Sequence, residues 1–360
     1  WLNDYAIFVA LKDRFGGKVW GDWPAGIRDR REEALRKHGT ELADPILREK
    51  FLQYVFDHQW RVLKNHCRER HIQIIGDIPI YLTYDSVDLW ANPELFKLDE
   101  HKKPTVISGV PPDMFSATGQ LWGNPIYNWE MHQKQEFRWW ESRIDHTLAF
   151  VDRVRLDHFR GFVQFWEVPG GDVTAQNGHW ADAPGRDLFT LLTRSRSCLP
   201  IIAEDLGYIT SDVHEMMAHF GFPGMKILTF GFSGDVAQNP HAPHNVTSGC
   251  VAYTGTHDNN TVRGWFEHEV SDDQKNLIFS YIGGSVSADH IHRILIRLAM
   301  ISPAGTVIVP MQDILGLGEE ARMNRPGTAE GNWEWRLLPE QATEQAMQEF
   351  SEVTRIYGRG

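Results

Sequence analysis

The 360-residue chain is 42% hydrophobic, enough to bury a large core as one elaborated α/β domain or two modest ones. Its 48 acidic residues outnumber 36 basic ones, for a formal charge of −12, and no Lys/Arg-rich run breaks that balance, so nucleic acid is excluded as the expected partner. No stretch reaches the length of a membrane span and no charged-then-apolar leader opens the chain, so no membrane partner is expected.

Trp1 runs straight into an amphipathic pattern, and an upstream segment is therefore expected. Helical periodicity covers 3–15 and about 28–70, where Leu52, Val55, Phe56 and Trp60 recur at i, i+3, i+4, i+8 in a charged background. A short apolar strand follows at 72–79, through Gly76 and Asp77. The stretch from there to about 130 is rich in Pro, Gly, Asp and Trp, and a connection of that length is expected to carry function. Beyond 130 the pattern predicts helix 132–149, strand 151–157, helix near 185–197, strand 200–204, helix 211–219, strands 225–230 and 250–255, helices within 272–300 and strand 305–310. Such alternation implies a mainly parallel sheet, and the nearly continuous apolar runs at 199–203 and 305–310 fit strands buried on both faces.

A doubly wound sheet and a (β/α)8 barrel both fit this alternation. No Gly-rich phosphate fingerprint follows any strand, whereas Asp77, Asp157, Glu204 and Asp258 each stand at the C-terminal end of a different one. A barrel gathers its strand ends around one axis, where an open sheet spreads them along an edge. The expected fold is therefore an α/β (β/α)8 barrel over residues 1–360, with a helical insertion at about 16–70 and a cleft-covering loop insertion at about 84–130. Only about six barrel strands are countable, so the first two are expected upstream.

A strand-end carboxylate is commonly a helix cap or half of an ion pair, and Arg155 and Asp157, two apart on a strand, could form a plain salt bridge. The same geometry serves chemistry: a guanidinium beside Asp157 favours its ionised form, as a nucleophile needs, while Glu204 ends an apolar strand where desolvation favours keeping a proton. Two carboxylates with divergent environments are what cleavage of a glycosidic bond requires. His158 and His257 adjoin two of the acids and could donate to hydroxyl groups, or simply make ordinary hydrogen bonds. Fourteen Trp and nine Tyr, many in Gly/Pro/Asn-rich stretches, suit flat and partly polar ligands such as sugars. Cys67, Cys198 and Cys250 are widely spaced and outside any C-x-x-C pattern, which argues against a disulfide framework or a zinc site and makes a reducing cytoplasm the simplest location.

Gly-Asp-Ile-Pro-Ile-Tyr (76–81), Trp-Ala-Asn-Pro-Glu-Leu-Phe (90–96), the run 109–125, Arg-Leu-Asp-His-Phe-Arg-Gly-Phe (155–162), Ala-Glu-Asp-Leu-Gly (203–207), Tyr-Thr-Gly-Thr-His-Asp-Asn (253–259) and Ala-Arg-Met-Asn-Arg-Pro-Gly (321–327) closely resemble the amylomaltases of glycoside hydrolase family 77. The resemblance runs from Trp1 to about Arg336, with its motifs in order. It implies a (β/α)8 barrel of the α-amylase clan that transfers α-1,4-glucan segments between donor and acceptor maltodextrin or starch-derived chains, with no cofactor, metal or protein partner. It makes Asp157 the nucleophile, Glu204 the general acid/base, and Asp258 the acid that grips hydroxyls of the distorted sugar. Arg155, His158 and His257 match residues lining that subsite, Trp122 and Asp113 match an overhanging loop, Asn324 matches a further sugar contact, and Asp77 matches a strand-end acid that supports the site. Transfer requires an acceptor sugar to arrive before water, and 109–127, with Phe115, Trp122 and Tyr127, has the composition of a lid, or of a packed insertion over the barrel.

Other classes compete. A metal-dependent hydrolase could use His290 and His292, but their H-x-H lies in a helical pattern where i and i+2 point apart. A glucan-binding protein would explain the aromatic residues but not the Arg-x-Asp paired with a separate Glu. A retaining α-amylase-type hydrolase is the nearest alternative within the same chemistry.

Overall fold

The computed structural model describes residues 1–112, 116–194, 196, 198–328 and 330–360. The chain divides into two compact units, Trp1–Phe222 and Pro223–Gly360.

The first unit begins with helices Leu2–Arg14, Glu32–Glu41 and Ala43–Glu69, as the periodicity predicts. Seven strands follow: β1 (Ile75–Ile78), β2 (Val106–Val110), β3 (Gln120–Pro125), β4 (Arg153–Leu156), β5 (Gln164–Pro169), β6 (His179–Asp182) and β7 (Ile201–Ala203). Parallel β1, β4 and β7 form one sheet with β4 in the centre, its register setting Asp77 opposite Arg155 and Leu156 opposite Ala203. Val154, Leu156, Ile201, Ile202 and Ala203 are all buried, so β4 and β7 are covered on both faces and read as unbroken apolar runs.

The stretch expected as a loop at 84–130 holds the helix Val87–Ala91 and strands β2 and β3. These join β5 and β6 in a four-stranded antiparallel sheet in the order β3-β2-β5-β6. Gly109, Gly123, Pro125 and Pro169 interrupt these strands, and a register shift between Ile107 and Gly109 breaks the alternation further, which hides their period of two. The helix expected at 132–149 is two, Trp129–Lys134 and Arg138–Phe150, parted where Glu136 and Phe137 both adopt φ +52°.

Two devices fix this unit around the strand ends. Arg143 donates to the carbonyl of Pro79 at 2.7 Å, and the Tyr127 hydroxyl donates to the carbonyl of Ile80 at 2.5 Å, tying down the chain as it leaves β1. Beside β4, Phe159, Phe162, Phe189 and Phe222 are buried with ring centroids 5.2–5.8 Å apart.

The second unit carries β8 (Gly224–Ile227), β9 (Cys250–Tyr253) and β10 (Thr306–Ile308), a parallel sheet ordered β10-β9-β8. Helices Asp272–Ile282 and Ala288–Ile301 match the predicted span to within one residue, and Val262–His268 and Glu344–Ile356 are additional. A capping box in which Ser271 and Gln274 each accept a backbone N–H starts the helix Asp272–Ile282. His290 and His292 share the next helix but not a side: His290 is exposed and contacts the Ser287 hydroxyl at 2.9 Å, whereas His292 is buried. No helix of the described residues is long and apolar enough to cross a membrane.

Phe159→Ala empties a fully buried ring site two residues past Asp157. It is expected to lower unfolding free energy by about 3–5 kcal/mol in chemical denaturation, and a loss below about 1 kcal/mol would show that the phenylalanine cluster is not a packed core.

Candidate active site

Parallel pairing carries the first cluster. The Asp157 N–H donates to the Ile78 carbonyl at 3.0 Å and the Glu204 N–H to the Leu156 carbonyl at 3.0 Å, so both acids leave the C-terminal ends of adjacent strands, β4 and β7. Arg155, on β4, is buried with only 7% exposure. Its fork grips Asp77 across the sheet, Nε to Oδ1 at 2.9 Å and Nη2 to Oδ2 at 2.6 Å, and Nη2 reaches Asp157 Oδ1 at 3.5 Å. The geometry of two parallel N–H···O bonds belongs to Asp77, and Asp157 receives a longer electrostatic contact. Burial works against the Arg155 charge, but the hydrogen bonds and charge of Asp77, with Asp157 and Glu204 behind them, prevail and raise its pKa.

Glu204 is held differently. Its Oε2 accepts the His158 N–H at 2.8 Å and its Oε1 the Leu206 N–H at 2.8 Å, which fixes the plane of the carboxyl group. Burial, reinforced by the negative charge of Asp157, pushes its pKa up to about 8 despite those two donors and Arg155. At neutral pH it therefore keeps its proton, as a general acid must.

His158 makes this possible through its backbone. Its φ of 49° is left-handed, an unusual conformation for a residue with a Cβ, and it aims the N–H at Glu204. Its ring packs edge-on against Trp122 with centroids 4.7 Å apart. Burial and the nearby Arg160 charge lower its pKa to about 4, so the imidazole is neutral, with one donor and one acceptor. Gly161 leaves room here: a Cβ would stand 2.6 Å from Ile80 Cδ1 and 3.1 Å from His158 Cδ2, so those side chains would have to shift.

The second unit builds a cluster of its own in the segment after β9. Asp258 Oδ1 accepts from Asn324 Nδ2 at 2.6 Å, and its Oδ2 lies 3.3 Å from His257 Nε2. Arg322 Nη2 donates to the Asp258 carbonyl at 2.9 Å, and its Nε to the Asn324 carbonyl at 2.9 Å. His257 also packs against Trp333, centroids 5.1 Å apart.

The structure thus brings Asp77, Arg155, Asp157, His158, Glu204 and Trp122 together on the first unit, and His257, Asp258 and Asn324 together on the second. Asp113 and Phe115 lie outside the described residues. Trp122 sits on strand β3, 38% exposed, while Tyr127 is fully buried in the core and is no part of a lid surface. Sequence reasoning missed Arg160, whose buried guanidinium donates to the Tyr208 carbonyl at 3.1 Å and the Thr210 hydroxyl at 3.0 Å, and Arg322. Both stand inside the quoted motifs, so the signal was a charged residue in a patterned segment with no assigned partner.

Comparison with known proteins points one way. The glycoside hydrolase 77 family model, described as 4-alpha-glucanotransferase, matches residues 1–341. The chain is similar to the 4-alpha-glucanotransferases of Synechocystis sp., 48% identical over 100% of this chain and 71% of that protein, and of Aquifex aeolicus, 46% identical over 100% and 73%. Among solved structures, the amylomaltase from Streptococcus agalactiae in complex with acarbose matches with a TM-score of 0.96 at 43% identity, covering 100% of this chain and 72% of that one. The chain belongs to glycoside hydrolase family 77, the 4-alpha-glucanotransferases.

Proposed function

We propose that this chain transfers α-1,4-glucan segments between maltodextrin chains by retaining double displacement, with Asp157 as nucleophile and Glu204 as acid and then base. The observation that carries this reading is the difference between two neighbouring strand-end acids: one beside a buried guanidinium, the other desolvated enough to be protonated near neutral pH. In the first step the Asp157 carboxylate attacks the anomeric carbon, the glycosidic C–O bond breaks, and Glu204 delivers its proton to the departing oxygen. In the second, the Glu204 carboxylate takes the proton of an acceptor hydroxyl as that oxygen displaces Asp157. Stereochemistry is retained and the bond type is regenerated.

The remaining roles follow the same reading. Asp258, oriented by Asn324, grips sugar hydroxyls, and His257 and neutral His158 add donors. Trp122 offers a partly exposed ring beside His158, and the antiparallel sheet that carries it supports a cover that favours acceptor sugars over water. Asp77 acts through Arg155. Asp113 is assigned to this cover from family resemblance alone. The three-stranded parallel sheet in each unit supports the (β/α)8 barrel reading of the fold. The wide spacing of Cys67, Cys198 and Cys250 outside any C-x-x-C pattern supports a reducing, cytoplasmic setting.

Incubation with maltotriose is expected to yield glucose together with maltodextrins longer than the substrate, at nearly constant total reducing ends. Reducing ends that rise in step with bond cleavage would instead assign an α-amylase-type hydrolase.

Asp157→Asn and Glu204→Gln are each expected to lower kcat/KM by about 10²–10⁴. Because Glu204 must be protonated to start the reaction, kcat/KM of the unmodified enzyme should fall as pH rises past about 8, and the small residual rate of Glu204→Gln should lack that alkaline fall. An unchanged rate in both variants, or an alkaline fall retained in Glu204→Gln, contradicts these roles.

A further inference from the structure

Asp258 stands in the middle of the segment that joins β9 to the helix Val262–His268, and both ends of that segment are held by one side chain. The Thr254 hydroxyl donates to Asp313 Oδ2 at 2.6 Å, and the Val262 N–H donates to Asp313 Oδ1 at 2.8 Å. Thr254 and Asp313 are 0% and 1% exposed, so these bonds are shielded from competing water. The parallel register, with Ile308 opposite Tyr253, is what lets the residues following β10 reach the residues following β9.

The residue before Asp313 does the corresponding work on the other half of the cluster. Gln312, also buried, donates from Nε2 to the Ala321 carbonyl at 3.2 Å. The next residue, Arg322, donates to the Asp258 carbonyl, and Asn324 donates to the Asp258 carboxylate. Two adjacent side chains therefore anchor the segment that bears Asp258 and the segment that orients it. A buried carboxylate is an expensive way to fill core volume, and an apolar residue would fill it at lower cost. What an apolar residue cannot do is accept from a hydroxyl and a backbone N–H at once.

We propose that Gln312 and Asp313 are positioning residues for Asp258, holding its carboxylate in the orientation that grips the sugar as the glycosidic bond breaks. The proposal rests on the role given to Asp258 above. Its effect should appear in kcat more than in KM, because the grip strengthens in the transition state.

A double-mutant cycle on maltotriose disproportionation tests it. Thr254→Val removes one anchor without changing side-chain shape and should lower kcat about tenfold with KM within about twofold, while Thr254→Ser, which restores the hydroxyl, should recover most of the loss. In an Asp258→Asn background, Thr254→Val should cost less than about twofold, because its target is already gone. An equal loss in both backgrounds, or no loss in either, overturns the positioning role. An Asp258→Asn enzyme as fast as the unmodified one overturns the role of Asp258 itself, and the proposal with it. Asp313→Asn, which keeps the side-chain shape and one acceptor oxygen, carries the same expectations should Thr254→Val fail to fold.

Discussion

Two neighbouring carboxyl groups in equal surroundings have no fixed preference for which one holds a proton, and here the chain beyond β4 and β7 gives Asp157 and Glu204 different surroundings. Leu156 and Ala203 are opposite one another, and each acid follows immediately. Beyond that shared start the chain treats them unequally. Asp157 leads into a tight left-handed residue and sits beside Arg155, whereas Glu204 is bound by two backbone N–H groups. The negative charge of Asp157 adds to the burial that keeps the proton on Glu204, so each group helps to set the state of the other.

Arg155 is the cost of that arrangement. A buried guanidinium on the central strand needs a carboxylate close by, and Asp77 supplies one in bidentate geometry from β1. The consequence is a relay of three residues across adjacent strands, in which Asp77 orients Arg155 and Arg155 presents positive charge to Asp157. A lysine could not reproduce it, because its single ammonium lacks the fork that spans both Asp77 oxygens. The second unit solves a similar orientation problem with a neutral amide, Asn324, on the carboxylate and a guanidinium, Arg322, on the backbone carbonyl.

Much of this was legible in the sequence. Strands buried on both faces leave continuous apolar runs, so the ends of β4, β7 and β9 could be located and the acids beyond them seen. What stayed hidden depends on partners far apart in the chain. Arg155 and Asp157 are close in sequence, yet the preferred partner of Arg155 is Asp77, 78 residues away. The strands of the antiparallel sheet are cut by Gly and Pro, and β2 finds its partner β5 far along the chain, Val106 opposite Pro169, which no local signal reports. Tyr127 has the composition of a lid residue and the position of a core residue. Periodicity correctly marked the helix Ala43–Glu69, but Leu52 and Phe56 on its apolar stripe remain about half exposed, because a period reports that a face exists and not what lies against it.

The division of labour between the two acids is tested most directly by isolating its covalent product. Glu204→Gln treated with α-maltosyl fluoride, whose fluoride departs without needing a proton, should accumulate a glycosyl-enzyme because no base remains to activate an acceptor. Intact-protein mass spectrometry should show one added maltosyl group, and peptide mapping should place it on Asp157. An adduct on another residue, or rapid turnover of the fluoride with no adduct, would contradict the account.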